Sequence, residues 1–214
     1  MTHIERNWLD YAWRVLGYSG CCTGVSKWPG YLGTHYQDGR VLIVGAVHNA
    51  AELFTPEIDK LARIAPDWRR GAVSDEYYLS AVRWAYEQSR TTWEQNTVWR
   101  NLRTLREELG INFEETAFTN LAKCLLPPRE NTDALFLKCN NHFPLHDLIR
   151  RLKPLAVFIA KSSEKSRKVF TQYRGLPLIY QFHNLNGLNE RNEKLDQWAI
   201  WAKEEYQKLR LEQC

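Results

Sequence analysis

The run Val41-Leu42-Ile43-Val44, followed by Gly45, is the strongest indication of the fold class. It contains no polar residue, and three of its four apolar side chains are β-branched, which suits a strand. A strand with apolar side chains on both faces must be covered on both faces, and in proteins such coverage comes from helices. The run therefore predicts a buried, central strand in an α/β domain.

On both sides of this run, helical patterns alternate with further apolar strands. Predicted helices cover 4–17, 50–63, 75–90, 93–109, 142–152, 162–173 and 188–210, and predicted strands after the first cover 115–121, 155–160 and 176–182. The stretch 18–39 is rich in Gly, Pro and aromatic residues and is interpreted as a loop. This alternation predicts a three-layer α/β/α sandwich with a central, mainly parallel four-stranded sheet, in a single domain over 1–214.

The first predicted helix shows which of its faces should be buried. Its large apolar side chains recur at helical spacing on one side, at Trp8, Tyr11, Ala12, Val15 and Leu16. Such a stripe is typical of a helix packed on a core.

Composition limits the compartment and the partners. The 214 residues carry a net charge of +4, with 44% hydrophobic and 25% charged residues, as in an ordinary globular protein. The mild positive charge suits a polyanion such as DNA. No apolar run approaches the roughly 20 residues that cross a bilayer, and the first residues do not form a signal peptide. We expect a cytoplasmic monomer without a membrane partner.

Polar residues follow each predicted strand. In parallel sheets, functional side chains gather beyond the carboxyl ends of the strands. The segments to inspect are Gly45-Ala46-Val47-His48-Asn49, Asn120-Leu121-Ala122-Lys123-Cys124, Lys161-Ser162-Ser163 and His183-Asn184-Leu185-Asn186.

Four segments together resemble one family. VLIVGAVHNA (41–50) is similar to a glycosylase motif in which an apolar strand ends in Gly before a catalytic polar loop. FTNLAKCLLPPR (118–129) is similar to the segment whose Asn reads a flipped base, and RLKPLAVFIA (151–160) resembles the third strand. YQFHNLNG (180–187) lies where that family has its catalytic His. In this order, over about 40–187, the set resembles the uracil-DNA glycosylase superfamily.

The resemblance implies roles for individual residues in base excision. His183 would donate to the base carbonyl as negative charge develops on the departing base. Asn49 or His48 would orient the attacking water, and Asn120 would read the edge of a pyrimidine with its amide. The alternatives are structural, because Asn49 suits a helix N-cap, Asn120 a turn, and His183 a cap on a nearby backbone group.

The resemblance also implies contacts with DNA. The candidates for gripping the backbone are Lys123, Lys161, Ser162, Asn184 and Asn186. A solvated Lys123 and a helix-capping Ser162 are the structural alternatives. Phe54 would stack on the flipped base, with Tyr31 and Trp28 as further candidates, and core packing is the alternative for each of the three.

Departures from the family pattern bear on the substrate. In a gapless alignment Val47 occupies the position of the usual carboxylate or amide, and His48 replaces a Pro. We expect a monofunctional glycosylase for uracil or for a modified pyrimidine, such as a hydroxymethylated or glucosylated base of phage DNA. The second hypothesis is a non-catalytic DNA-binding protein on a glycosylase scaffold. The third is another α/β enzyme that acts on a nucleoside or nucleotide.

Five cysteines, an odd number, argue against a disulfide framework in a cytosolic protein. Cys124 and Cys139, together with the adjacent pair Cys21 and Cys22, resemble the iron-sulfur branches of the superfamily, which use four cysteines. This resemblance implies a 4Fe-4S cluster. The alternative is that the four cysteines are buried thiols.

Overall fold

A computed structural model describes residues 1–17, 29–49, 56–94, 97–126, 141–142, 145–160, 179–182 and 191–212. Side chains are described for most of these residues. Within the described residues, none of the helices combines the length and the apolar character that crossing a membrane requires.

The strands form one mixed sheet of five. Its strands are β1 (Tyr31–Leu32), β2 (Val41–Asn49), β3 (Thr116–Leu126), β4 (Ala156–Ala160) and β5 (Ile179–Phe182). Their order across the sheet is β1-β3-β2-β4-β5, so β2 lies at the centre. The run that opens at Val41 is the middle strand, as its apolar pattern predicts.

The predicted sheet needs a correction at one edge. β2 pairs in parallel with β3 and with β4, and β4 pairs in parallel with β5, whereas β1 pairs antiparallel with β3. The sheet therefore has five strands rather than four, and it is mixed. The sequence does not predict β1, because two residues, Tyr31 and Leu32, are too few to show an alternating pattern.

Most of the described helices lie close to their predicted positions, whereas α2 (Tyr36–Gly39) lies within the stretch 18–39 that was predicted to be a loop. They are α1 (His3–Gly17), α2 (Tyr36–Gly39), α3 (Pro56–Arg69), α4 (Asp75–Glu94), α5 (Thr97–Leu109), α6 (Leu145–Leu152) and α7 (Arg191–Leu211), and a 3₁₀ turn covers Phe113–Glu115. The helix predicted over 162–173 lies outside the described residues. α3 continues past Pro66, so the predicted end at residue 63 was too early.

The core gathers around the centre of the sheet. Val41, Leu42, Ile43 and Val44 are all buried, as are Ala156, Val157 and Phe158 of β4. Side chains of a strand alternate between its two faces, so burial of consecutive residues means that both faces are covered here. The α/β class predicted from the sequence is confirmed.

The first helix buries the face that its periodicity predicts. Trp8, Tyr11, Ala12 and Val15 are at most 1% exposed, and Leu16 packs partly buried against the same cluster. α1 contacts α6 and α3. Its opposite face, which carries Trp13 and Arg14, is open to solvent.

Candidate functional site

Paired residues on neighbouring parallel strands lie at the same height along the strand direction, and we call each such row of residues a level. Val44 pairs with Thr119 on β3 and with Ile159 on β4, and Ile159 pairs with Gln181 on β5. The next residue along each strand defines the following level, where Gly45 pairs with Asn120 and Ala160 pairs with Phe182. Asn120 therefore lies level with the last residues of β4 and β5, although β3 itself continues.

At this level Gly45 makes room for the Asn120 side chain. A Cβ built on Gly45 would lie 2.1 Å from Oδ1 of Asn120 and 3.2 Å from Cζ of Phe118. Asn120 is only 2% exposed, which is uncommon for an amide side chain. The amide thus lies against the backbone of β2, in a space that any other residue at position 45 would fill.

The chain before β1 packs against β3 beside Asn120. Oγ1 of Thr119 donates a buried hydrogen bond of 2.8 Å to the carbonyl oxygen of Pro29. Gly30 has a φ of +117°, and a Cβ there would lie 2.1 Å from the carbonyl oxygen of Phe118. Gly30 is therefore required both by its backbone conformation and by its close approach to β3. Tyr31, a stacking candidate, is buried and stacks on Phe113, with ring centroids 4.7 Å apart.

Two strands continue beyond the level of Asn120. Val47 pairs with Ala122, and Asn49 pairs with Leu126 after a register shift. The first strand was predicted to end at Gly45 and the second at residue 121, so both strands are longer than predicted. His48 and Asn49 belong to β2, and Asn49 lies four residues, or about 13 Å of strand, beyond the level of Asn120. Lys123 and Cys124 belong to β3. The side chains of these four residues lie outside the described part.

The remaining predicted site residues lie outside the described residues. They are Phe54, Lys161, Ser162, His183, Asn184, Asn186, Cys21, Cys22 and Cys139, with Trp28 as the further stacking candidate. Their positions in the chain are nevertheless informative, since Lys161 directly follows β4 and His183 directly follows β5. Both strands end at the level of Asn120.

The predicted cluster remains a prediction. Within the part of the chain whose side chains are described, no three His, Cys, Asp or Glu residues come together as metal ligands. None of the four cysteine side chains proposed as ligands belongs to that part, so this finding does not bear on them.

Two polar features were not found from the sequence. One is a cavity of about 350 Å³ between α1 and the turn that joins α3 to α4, lined in part by Trp13 and Trp68. The other is the carboxylate of Asp147, which is bonded by Arg14 as well as by Arg150 and Arg151. The spacing of Asp147, Arg150 and Arg151 on α6 was an available signal for local pairs. Arg14 lies 133 residues away in sequence, so no local pattern could identify it.

Comparison with known proteins adds no assignment. The sequence matches no protein-family model, and no curated protein matches it.

Proposed function

We propose that the chain is a monofunctional DNA glycosylase of the uracil-DNA glycosylase superfamily, with a three-layer α/β/α architecture. It flips a base out of DNA and hydrolyses the N-glycosidic bond, which leaves an abasic site. The substrate is uracil or a modified pyrimidine. The proposal takes its catalytic residues from the sequence resemblance.

One observation carries the proposal. Gly45 of the first motif and Asn120 of the second, which lie 75 residues apart in sequence, are directly paired across β2 and β3. The strands that precede Lys161 and His183 end at the same level. A family whose motifs come together at one edge of a sheet requires its first two motifs to lie on neighbouring strands, because the groups that act on the base must be brought together there.

Within this proposal each residue has a chemical task. Asn120 offers a donor and an acceptor to the pyrimidine edge from a rigid, buried strand position. His183 donates to the base carbonyl that gains negative charge, and Asn49 or His48 orients the water. Lys123, Lys161, Ser162, Asn184 and Asn186 hold the phosphate backbone, and Phe54 stacks on the base. No step depends on an iron-sulfur cluster.

An abasic-site assay tests the proposal. Purified protein is incubated with DNA that contains uracil, a mismatched thymine, or a hydroxymethylated or glucosylated pyrimidine, and alkali then converts abasic sites into breaks. We expect breaks on one of these substrates and a loss of about 100-fold or more in His183→Ala, because one donor to a developing charge contributes about that much. Absence of breaks on every substrate would contradict the proposal.

Asn120→Ala requires a matched control, because truncating a buried side chain also lowers stability. Thr116→Ala provides it, since Thr116 lies on the same strand, is 1% exposed, and donates a 2.6 Å bond to the carbonyl oxygen of Phe113. Both variants are assayed well below their melting temperatures. Asn120→Ala should lose activity and Thr116→Ala should keep it. Equal losses would remove Asn120 from the proposed site.

A second candidate function has one observation in its favour. β2 runs on as a paired strand through Val47 to Asn49, where the resemblance leads one to expect a catalytic loop. The residue at the position of the usual carboxylate is therefore an apolar residue within a strand. This favours a DNA-binding protein without catalysis, which would bind DNA and produce no alkali-labile breaks.

A further inference from the structure

Two tryptophan side chains, one of them half exposed to solvent, line the cavity between α1 and the α3–α4 turn. Trp68 forms the rigid part, because it stacks on Tyr78 at 4.1 Å with parallel rings and donates its indole N–H to Asp75 over 3.0 Å. Trp13 forms the solvent-exposed part of this wall. It is 51% exposed and meets Trp68 at a tilt of 56°, with ring centroids 6.4 Å apart. A half-exposed indole beside a cavity is a surface on which a flat ring can stack.

The charges at the cavity cancel. Arg6 and Arg69 contribute two positive charges to its lining, and Asp10 and Asp75 contribute two negative charges. A site with balanced charge and both donors and acceptors suits a neutral, polar ring better than it suits an ion. Its volume of about 350 Å³ lies at the lower end of the range for small-ligand sites, which fits a single base.

The second feature is a group of charged side chains around Asp147 with a net positive charge, which we call the Asp147 cluster. Arg14, Arg150 and Arg151 all bond the Asp147 carboxylate, at 2.6, 2.9 and 3.1 Å. Three guanidinium groups against one carboxylate leave a net charge of +2. The Arg14 and Arg150 side chains remain 51% and 72% exposed, so their unused N–H groups face solvent. Guanidinium groups in such an arrangement suit a phosphate.

The cavity and the Asp147 cluster are linked through α1, because Trp13 lines the cavity and the next residue, Arg14, bonds Asp147, and both side chains are exposed. We propose that this face binds single-stranded nucleic acid, with one base stacked on Trp13 and a neighbouring phosphate on the Asp147 cluster. Stacking on an aromatic side chain beside a basic surface is the usual means of holding a single strand. The proposal does not depend on base excision, and binding alone tests it.

The first test measures stacking. Binding of a fluorescein-labelled ten-residue oligothymidylate is followed by anisotropy for the wild type, Trp13→Leu and Trp201→Leu. Leucine keeps apolar contact with Trp68 but has no ring face, and Trp201 is a matched control because it is 44% exposed on α7. We expect Trp13→Leu to weaken binding by about 5- to 100-fold, since a stacked base contributes that much. Trp201→Leu should bind as the wild type does. Unchanged affinity in Trp13→Leu would overturn the proposal.

The second test measures the phosphate contact by its salt dependence. Arg150→Ala is compared with Lys208→Ala, because the Lys208 side chain is 63% exposed and its ammonium group also pairs with a carboxylate three residues earlier in its helix. In a plot of log K against log salt concentration, Arg150→Ala should lower the slope magnitude by about 0.7, and Lys208→Ala should not change it. Equal slopes in the two variants would overturn the assignment of the phosphate.

Two competing ligands distinguish a strand-binding face from a mononucleotide pocket and from a duplex-binding surface. Thymidine monophosphate that bound as tightly as the oligothymidylate would contradict a strand-binding face, and so would duplex binding that exceeded single-strand binding. Trp13-dependent binding by a protein that makes no abasic sites would support this proposal and contradict only the proposed enzymatic function. Glycosylase activity together with single-strand binding that does not depend on Trp13 would support the proposed enzymatic function and contradict this proposal.

Discussion

At the scale of single residues, Gly45 and Asn120 are a complementary pair. The amide of Asn120 occupies the space that a Cβ at position 45 would need, so a larger residue at position 45 requires the amide to move. Both residues lie in strands whose neighbours are buried, and such surroundings relax little when an atom is added. This dependence is a residue-scale property that can be measured directly.

Gly45→Ala should lower the free energy of unfolding by about 1 to 3 kcal/mol, because the added methyl group overlaps Oδ1 of Asn120. Asn120→Ala should also be destabilising, and the double variant should lose less than the sum of the two single losses. Denaturant unfolding of all four proteins gives the coupling energy. Strict additivity would show that the two side chains do not compete for this space.

Two buried tyrosines provide a second comparison at this scale. The Tyr206 hydroxyl donates a 2.7 Å hydrogen bond to the carbonyl oxygen of Gly39, which ties α7 to α2. Tyr36 is equally buried, and its hydroxyl has no hydrogen-bond partner within the described structure. Tyr206→Phe should therefore cost about 1 kcal/mol of stability, whereas Tyr36→Phe should be neutral or stabilising. Melting temperatures of the two variants check this, and a larger loss in Tyr36→Phe would contradict it.

At the scale of elements, two side-chain hydrogen bonds join α1 and α6. Asn7 of α1 donates to the carbonyl oxygen of Arg151, and Arg14 of α1 bonds Asp147 of α6. The two contacts run along the helix pair in antiparallel sense. Burial opposes ionisation of Asp147, but hydrogen bonds from Arg150 and Arg151 and the nearby guanidinium charges outweigh it and hold the pKa of Asp147 below its ordinary value.

Asp147→Asn should cost about 1 kcal/mol at neutral pH, because it weakens charged bonds to partly exposed arginines. Since the folded-state pKa of Asp147 is lowered, its contribution is present above about pH 4 and is lost as the pH falls through the folded value. The stability difference between wild type and variant should therefore shrink in acid. Denaturant titrations at several pH values measure it, and a difference that did not change with pH would contradict this role.

At the scale of the whole molecule, buried tyrosines limit stability in alkali. Burial raises the pKa of Tyr36, Tyr78 and Tyr206 above their ordinary value of 10.0. The unfolded chain releases these protons near pH 10 while the folded chain retains them. Stability is therefore complete below about pH 10 and decreases as the pH rises further.

Tyr36→Phe isolates this effect at a single position. Above about pH 10 the free energy of unfolding of the wild type should fall more steeply than that of the variant, by up to about 1.4 kcal/mol per pH unit. Below pH 9 the two curves should run parallel. Denaturant midpoints between pH 8 and 11 provide the measurement. Parallel curves throughout would show that Tyr36 ionises equally in the folded and unfolded chains.

Local patterns in the chain were sufficient for most of the described helices, the central strand and the α/β class. The buried face of α1 follows from helical periodicity, and β2 follows from an uninterrupted apolar run, because both signals depend on neighbouring residues alone. The short strand β1 forms by pairing with the edge of β3. A pattern of two residues is too short to predict such a long-range contact.

The contacts that form the candidate surfaces required the tertiary structure. The sequence motif identifies Asn120 as a candidate. Its pairing with Gly45 and its position level with the ends of β4 and β5 depend on strand register. Arg14 meets Asp147, and Trp13 meets Trp68, only because helices far apart in sequence pack side by side. Periodicity tells which face of an element is buried, whereas the identity of its neighbour depends on how all the elements pack around one core.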